Sequence, residues 1–381
     1  MAFDMSLVQR GARLRRSPFF EATQRHGARG YTVYNHMLFP ICFGDLEEEY
    51  WHLVNHVTLW DVSVERQVEI TGPDAFAFTS MLTPRDLARC AVGEAKYVVI
   101  TDQAGGIIND PVLLRLGESH FWLAAADSDV LLWARGVASH AGLRVRIAEP
   151  DVSPLQLQGP KAQEVAGALF GEPVRTLRYY RFLETSLDGI PLVVTRTGWS
   201  GEIGYEIYLR DGSRGDELWE RIMAAGRAQR IRPTGPSDIR RIEAGILNWG
   251  ADFGLENNVY EVGLERLVEP SKRERYLGAD ALARIKAAGV EQKLVGIEIE
   301  GPRIELNATK WPVRAGRDAV GRVTSAVWSP RLAKNIGYAM LRVAHASLGA
   351  RLLVDVAGAG ERPATVVPMP FVDPAKEIPK R

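Results

Sequence analysis

Short stretches of alternating apolar and polar residues dominate this chain. Val68–Thr71, Tyr97–Thr101, Pro111–Leu116, Phe121–Ala124 and Leu143–Ala148 are rich in β-branched, aromatic or leucine residues. That is the period-two signature of strands. Leu155–Gln158, Leu192–Arg196 and Tyr205–Leu209 continue the pattern. Helical spacing predicts a helix near Asp216–Ala225 and a second over Pro236–Trp249. In the second, Ile239, Ile242, Ile246 and Leu247 make an apolar stripe that Gly250 can close.

One order occurs twice. Val68–Thr71 runs into Gly72-Pro73 and then Asp74-Ala75-Phe76, while Leu155–Gln158 runs into Gly159-Pro160 and then Lys161-Ala162. Proline suits a first helical turn, where its missing N–H needs no partner. The repetition predicts two related α+β units, although Gly-Pro turns are common enough for coincidence. Beyond about Val290 the pattern changes to Leu294–Ile299, Gly321–Ser325, Ile336–Leu341 and Arg351–Val356, separated by Gly and Pro turns. This predicts a separate all-β domain, a small barrel or sandwich. The tail from Pro368 is rich in proline and charge and is expected on the surface or loose.

The 381 residues allow two or three domains and a sizeable core. Lys plus Arg and Asp plus Glu both number 47, so no net field favours nucleic acid or an anionic membrane. The Arg13-Leu14-Arg15-Arg16 cluster is short and reads as a solvated or locally paired turn. Cys42 and Cys90 fit neither a zinc spacing nor a disulfide framework. Met1–Phe20 has no apolar core of a signal peptide, and no run reaches the length of a membrane span. These features predict a cytoplasmic protein. There is no phosphate-binding glycine loop, no His-Glu-x-x-His and no nucleophile elbow, and the seven histidines do not cluster. Nucleotide hydrolysis, zinc chemistry and serine hydrolysis are therefore set aside, and no metal is expected.

Asp110 is the foremost candidate for chemistry. Gly105-Gly106 is a hairpin signal, which puts Asp110 near the start of the return strand, among apolar neighbours and before Pro111. Aspartate is depleted in strands. An acid there is a surface charge at a sheet edge, the commoner case, or an acid aimed into a cavity. The loop Thr197–Glu206 is the second candidate, with spaced glycines, Trp199, Tyr205, Glu202 and Glu206. Glycines let a backbone approach a ligand, an aromatic can stack on a flat heterocycle, and a carboxylate can accept two N–H bonds from its edge. A tight hairpin with a packed Trp and solvated acids explains the same segment equally well. Arg241 and Glu243, Trp249, Tyr179-Tyr180, Trp60-Asp61 and Trp328 each could line a site, and each is more often an ion pair or core residue.

Taken together and in order, three segments resemble the glycine-cleavage T-protein family of folate-dependent one-carbon transferases. They are Gly105-Gly106-x-x-Asn109-Asp110, Arg196–Glu206 and Arg241-Ile242-Glu243-Ala244-Gly245. Further segments resemble the branch of dimethylsulfoniopropionate demethylases. These include Tyr31–Leu38, Trp60-Asp61-Val62, Glu65-Arg66-Gln67-Val68, Asn109–Val112 and Glu149–Pro154. Ser200-Gly201-Glu202-Ile203-Gly204 departs toward the T-proteins. The resemblance implies an α+β fold of three domains in a cloverleaf around a central folate channel. The domains expected are 1–60 with 153–255, 61–152 with 256–288, and a C-terminal β-barrel or jelly roll over 289–381.

It also implies tetrahydrofolate as cofactor, with Asp110 as the catalytic carboxylate facing N5 and N10, either orienting the pterin or accepting the N5 proton. Glu206 would pair with the pterin, and Tyr97, Tyr180, Trp199, Arg241 and Trp249 would line the folate site. Tyr31 and Trp60, with Trp199, are the aromatic candidates for contact with a small methylated sulfonium or amine. The activity implied is methyl transfer from dimethylsulfoniopropionate to N5. Aminomethyl transfer from a lipoyl carrier protein is the alternative. A non-catalytic folate-binding maintenance protein is a third reading, and it lacks support because Lys272–Gly278 contains no cysteine. A homodimer is compatible with the sequence.

Overall fold

The structure is a computed structural model and describes residues 14–272 and 275–381. Arg13 of the basic cluster, most of Met1–Phe20, and Arg273-Glu274 of the Lys272–Gly278 segment lie outside the described residues. The alternating segments assemble into two antiparallel sheets and a barrel. The first sheet runs Arg146–Ala148, Gln67–Thr71, His120–Ala124, Val112–Gly117, Ala95–Tyr97. The second runs Phe182–Leu187, Ile190–Thr195, Gly204–Leu209, Ser153–Gln158, Thr58–Asp61, closed by a parallel edge at Arg232–Pro233. Gln292–Val367 contributes the six strands of a closed barrel, so the all-β expectation resolves to a barrel. Among the described residues no helix is long and apolar enough to cross a membrane.

The alternation in the second sheet explains how a site arises between the sheets. Leu155 and Leu157 of one strand and Tyr205, Ile207 and Leu209 of its neighbour pack with the helices Ala162–Phe170 and Gly215–Ala225. The residues between them, Gln156, Glu206 and Tyr208, point to the other face, where Tyr208 meets Trp122 and Leu114 of the first sheet. Every residue of both strands is buried. The polar ones therefore need partners inside the protein.

The two Gly-Pro segments fold alike. Ala75 N donates to Gly72 O at 3.0 Å and Ala162 N to Gly159 O at 2.9 Å. Each proline thus occupies a turn just ahead of its helix, rather than the helix's first turn. Gly72 and Gly159 have φ of 121° and 125°. A Cβ would lie 2.6 Å from Arg144 O in one and 2.5 Å from His56 O in the other, so each turn demands glycine.

Four element expectations are corrected. Tyr97–Thr101 is two strands, Ala95–Tyr97 in the first sheet and Ile100–Thr101 paired with Ile107–Asn109. Leu143–Ala148 is strand only over Arg146–Ala148, after a helix, Val130–Ala141, that the pattern did not predict. The helix expected over Pro236–Trp249 spans Asp238–Glu243. Ser237 caps it, and Gly245, at φ 65° with Pro370 packed against it, ends it well before Gly250. The tail, finally, is a strap. Phe371 stacks on Tyr338 with centroids 6.2 Å apart, Val372 N donates to Glu243 O at 2.9 Å, and Arg196 Nη2 donates to Arg381 O at 2.6 Å.

Candidate active site

Both sheets, the short helix, the barrel and the strap enclose a cavity of about 650 Å³. Glu206 lies on its wall in mid-strand, directly opposite Gln156 in register. Its carboxylate accepts hydrogen bonds from Gln156 Nε2 and Thr197 Oγ1 at 2.8 Å, from Tyr208 Oη at 2.6 Å and from Thr195 Oγ1 at 3.5 Å. Burial pushes its carboxyl up from the usual range, and these donors pull it back. The other amide atom, Gln156 Oε1, is buried without a partner. Glu206 and Gln156 thus present acceptors on a fixed frame, suited to the N–H groups of an amino-heterocycle edge.

Asp110 occupies the break between Ile107–Asn109 and Val112–Gly117, with Pro111 withholding an N–H. It faces the cavity and accepts one side-chain hydrogen bond, from Tyr97 Oη at 2.8 Å. Burial pushes its carboxyl up to about 7 against the pull of Tyr97. The Tyr97 phenol is itself held well above its ordinary value by burial and by Asp110, so it stays a donor.

Aromatic rings form much of the remaining wall. Tyr179 and Tyr180 meet edge to face with centroids 4.7 Å apart. Tyr180 has φ of 61°, held there because its N donates to Arg196 O at 3.0 Å and its O accepts from Ala95 N at 2.9 Å. Trp249 donates Nε1 to Ile107 O at 3.0 Å and also borders a second cavity of about 500 Å³. Trp199 lines the main cavity with the Arg241 guanidinium 5.5 Å from its ring centroid. The glycines of this loop serve packing more than ligand approach. A Cβ on Gly198 or Gly204 would lie 2.3 or 2.4 Å from the Gln158 amide, which the two glycines enclose.

Three sequence candidates do not border the cavity. Trp60 is fully buried and donates Nε1 to Thr234 Oγ1 at 2.7 Å. Tyr31 shares a 2.8 Å hydrogen bond with Thr23 and packs on Phe20. Arg241 turns from the cavity to Asp238 and Asp252, both at 2.7 Å, and to Ser325 at 2.9 Å. The cavity cation from that helix is its neighbour, Arg240, which pairs with Glu202 at 2.7 Å and keeps Nη1 free of hydrogen-bond partners. One turn position decides which arginine looks inward, and the motif does not encode it. Also on the wall are Tyr34, Gln156 and Glu65, which had not been singled out as site residues. The Leu-Gln-Leu-Gln alternation could have pointed to Gln156. Glu65 appeared only inside a longer matching segment.

The GCVT N-terminal domain model matches residues 19–272, and the glycine cleavage T-protein C-terminal barrel domain model matches 292–373. The chain belongs to the glycine-cleavage T-protein family. This membership makes it a tetrahydrofolate-dependent one-carbon transferase. Among its relatives, dimethylsulfoniopropionate demethylase DmdA of Ruegeria pomeroyi is 40% identical over 362 residues, covering 95% of this chain and 98% of that protein. The aminomethyltransferase of Bacillus mycoides is 31% identical over 369 residues, covering 95% and 99%. The crystal structure of glycine cleavage system aminomethyltransferase T from Bartonella henselae superposes with a TM-score of 0.85 at 24% identity, over 94% of this chain and 98% of that one. The T-protein fold thus spans the two sheets and the barrel.

Proposed function

We propose that this T-protein family member is a demethylase. It would move a methyl group from a small methylated sulfonium or amine, dimethylsulfoniopropionate foremost, to N5 of tetrahydrofolate. The observation that carries the reading is the pairing of two unlike carboxylates in one cavity, Glu206 held by four side-chain donors and Asp110, among the described residues, by one, Tyr97. The 40% identity to a dimethylsulfoniopropionate demethylase supports the donor. Balanced charge and two unpaired cysteines fit a cytoplasmic enzyme.

The wall suits a reduced folate. Gln156 Oε1 is a buried acceptor without a donor, beside the Glu206 carboxylate, and rings of Tyr97, Tyr179, Tyr180, Trp199 and Trp249 flank the space. Bound there, the folate supplies a nucleophilic ring nitrogen. Glu206 and Gln156 would orient the pterin edge. The aromatic walls would exclude water and fix the donor's approach, which can provide much of the rate. A sulfonium leaves as a neutral thioether, its sulfur keeping the electron pair of the broken S–C bond, so no protein acid is needed at sulfur. Asp110, whose carboxyl lies at about 7, would take up the proton given up at N5 near neutrality.

The test is steady-state turnover with tetrahydrofolate and either dimethylsulfoniopropionate or an aminomethyl-loaded lipoyl protein. The proposal predicts 5-methyltetrahydrofolate with the first donor. Formation of methylenetetrahydrofolate with the second alone would replace it with aminomethyl transfer.

A further inference from the structure

Glu65 is the cavity group for which the folate reading provides no task. It follows the strand Thr58–Asp61 and precedes Gln67–Thr71. Its backbone is fixed at both ends, N donating to Val62 O at 2.9 Å and O accepting from Gln67 Nε2 at 2.6 Å. The adjacent Arg66 turns its guanidinium away to Glu149. The Glu65 carboxylate faces the cavity and, among the described residues, accepts no hydrogen bond and joins no ion pair. The charged groups that act on it are two more acids, Glu206 and Asp110. Of the four cations that line the cavity among the described residues, Arg240 pairs with Glu202, Arg303 with Glu47, and Arg266 lies over the Tyr97 ring at 5.9 Å, while Lys376 of the strap lies near Asp373.

Ionising an acid in such surroundings is costly, because no group among the described residues pairs with its charge: burial and the two nearby acids push its carboxyl up from the usual range. A ligand cation removes that cost. The surroundings also say which kind. The Tyr34 phenol feels the Glu65 charge, its ring packs at 5.9 Å from Phe39, and Val62 and Val64, on the segment just before Glu65, line the same cavity. A primary ammonium would call for several acceptors. A fully substituted onium group has no N–H, and is held by diffuse charge against a carboxylate and by aromatic and apolar contact.

We infer that Glu65, with the Tyr34 and Phe39 rings, forms the subsite for a methylated onium cation, and so selects the donor by its charge. This rests on the methyl-transfer reading above. It places the donor's positive centre within the same cavity as Asp110, so that the charge the donor gives up on methyl transfer is lost beside Glu65.

The experiment is calorimetric titration of the folate-free protein, in which no methyl transfer can occur, with dimethylsulfoniopropionate and with 4-methylpentanoate, which replaces the sulfonium by an uncharged CH of the same shape. Trimethylsulfonium serves as a minimal probe without the carboxylate. Wild type should bind the cationic ligand at least tenfold more tightly than its uncharged counterpart. Glu65→Gln, nearly isosteric, should lose that preference while its tetrahydrofolate affinity stays unchanged, and Tyr34→Leu should weaken trimethylsulfonium binding in the same direction. Equal binding of the two carboxylates by wild type, or a full preference retained in Glu65→Gln, would overturn the inference. Loss of tetrahydrofolate binding by wild type would instead remove the methyl-transfer reading itself.

Discussion

Two parts of one cavity treat a carboxylate in opposite ways. Glu206 sits in the middle of a fully buried strand, with four donors holding it. Asp110 and Glu65 sit where strands break or turn, with one side-chain hydrogen bond on the first and none on the second. A saturated carboxylate keeps its geometry and can read a ligand edge. An under-bonded one gains from a change of charge nearby, whether a proton arriving at Asp110 or a cation arriving beside Glu65. The sheet supplies rigidity at the first site and its interruptions supply reactivity at the others.

The contrast can be broken by exchanging roles. Asp110→Asn should lower kcat by roughly 100-fold or more, the contribution of a positioned acid–base group, while the tetrahydrofolate Kd measured by fluorescence stays within error. Near-normal turnover in that variant removes Asp110 from the proton path. Glu206→Ala should behave conversely. Folate affinity falls by more than about tenfold, corresponding to the ~1.5–3 kcal/mol of a hydrogen bond to a charged group. Its melting temperature drops as well, because Thr197, Tyr208 and Gln156 lose their acceptor. Unchanged affinity would show that the pterin edge is read elsewhere.

Smaller effects sharpen the comparison. Tyr97→Phe removes the donor that holds the Asp110 carboxyl down. The rise of kcat/KM with pH, centred near 7 in the parent, should move to higher pH and lower the rate at pH 7 by roughly three- to tenfold. An unshifted profile would assign the rise to another group.

Stability gives the smallest and most specific signal. The folded-state carboxyl of Asp110 lies at about 7, above its ordinary value of 3.8. Between these values the unfolded chain has released the proton and the folded chain retains it, so stability falls as pH rises through this window and levels off above it. Asp110→Asn should therefore melt higher than the parent at pH 8, with the gap closing toward pH 4. A gap independent of pH would mean that Asp110 is not held neutral by burial.

Much of this site is legible in the sequence, for physical reasons. Asp110 breaks a strand pattern beside a proline, and Glu206 and Gln156 fall on the alternate face of strands whose other face is leucine and isoleucine. The short helix is not legible, because its end depends on Pro370 of the strap packing against Gly245. The same is true of the strap, whose proline-rich sequence resembles a loose tail until Tyr338, Glu243 and Arg196 are in place to hold it. Trp60 and Tyr31 are candidates for donor contact in the sequence, and both take the commoner place of such an aromatic, a core position with an internal partner. Glu65 is the reverse case. In sequence it is a charge in a turn, and only the fold shows that it lines the cavity with no ion-pair partner among the described residues.

The most direct test uses dimethylsulfoniopropionate carrying deuterated methyl groups, with tetrahydrofolate in a single turnover followed by mass spectrometry. The account predicts that the intact labelled methyl group appears in 5-methyltetrahydrofolate in step with methylmercaptopropionate, and that Asp110→Asn slows both together. Thioether release without label on the folate, or no reaction while tetrahydrofolate is bound, would contradict it.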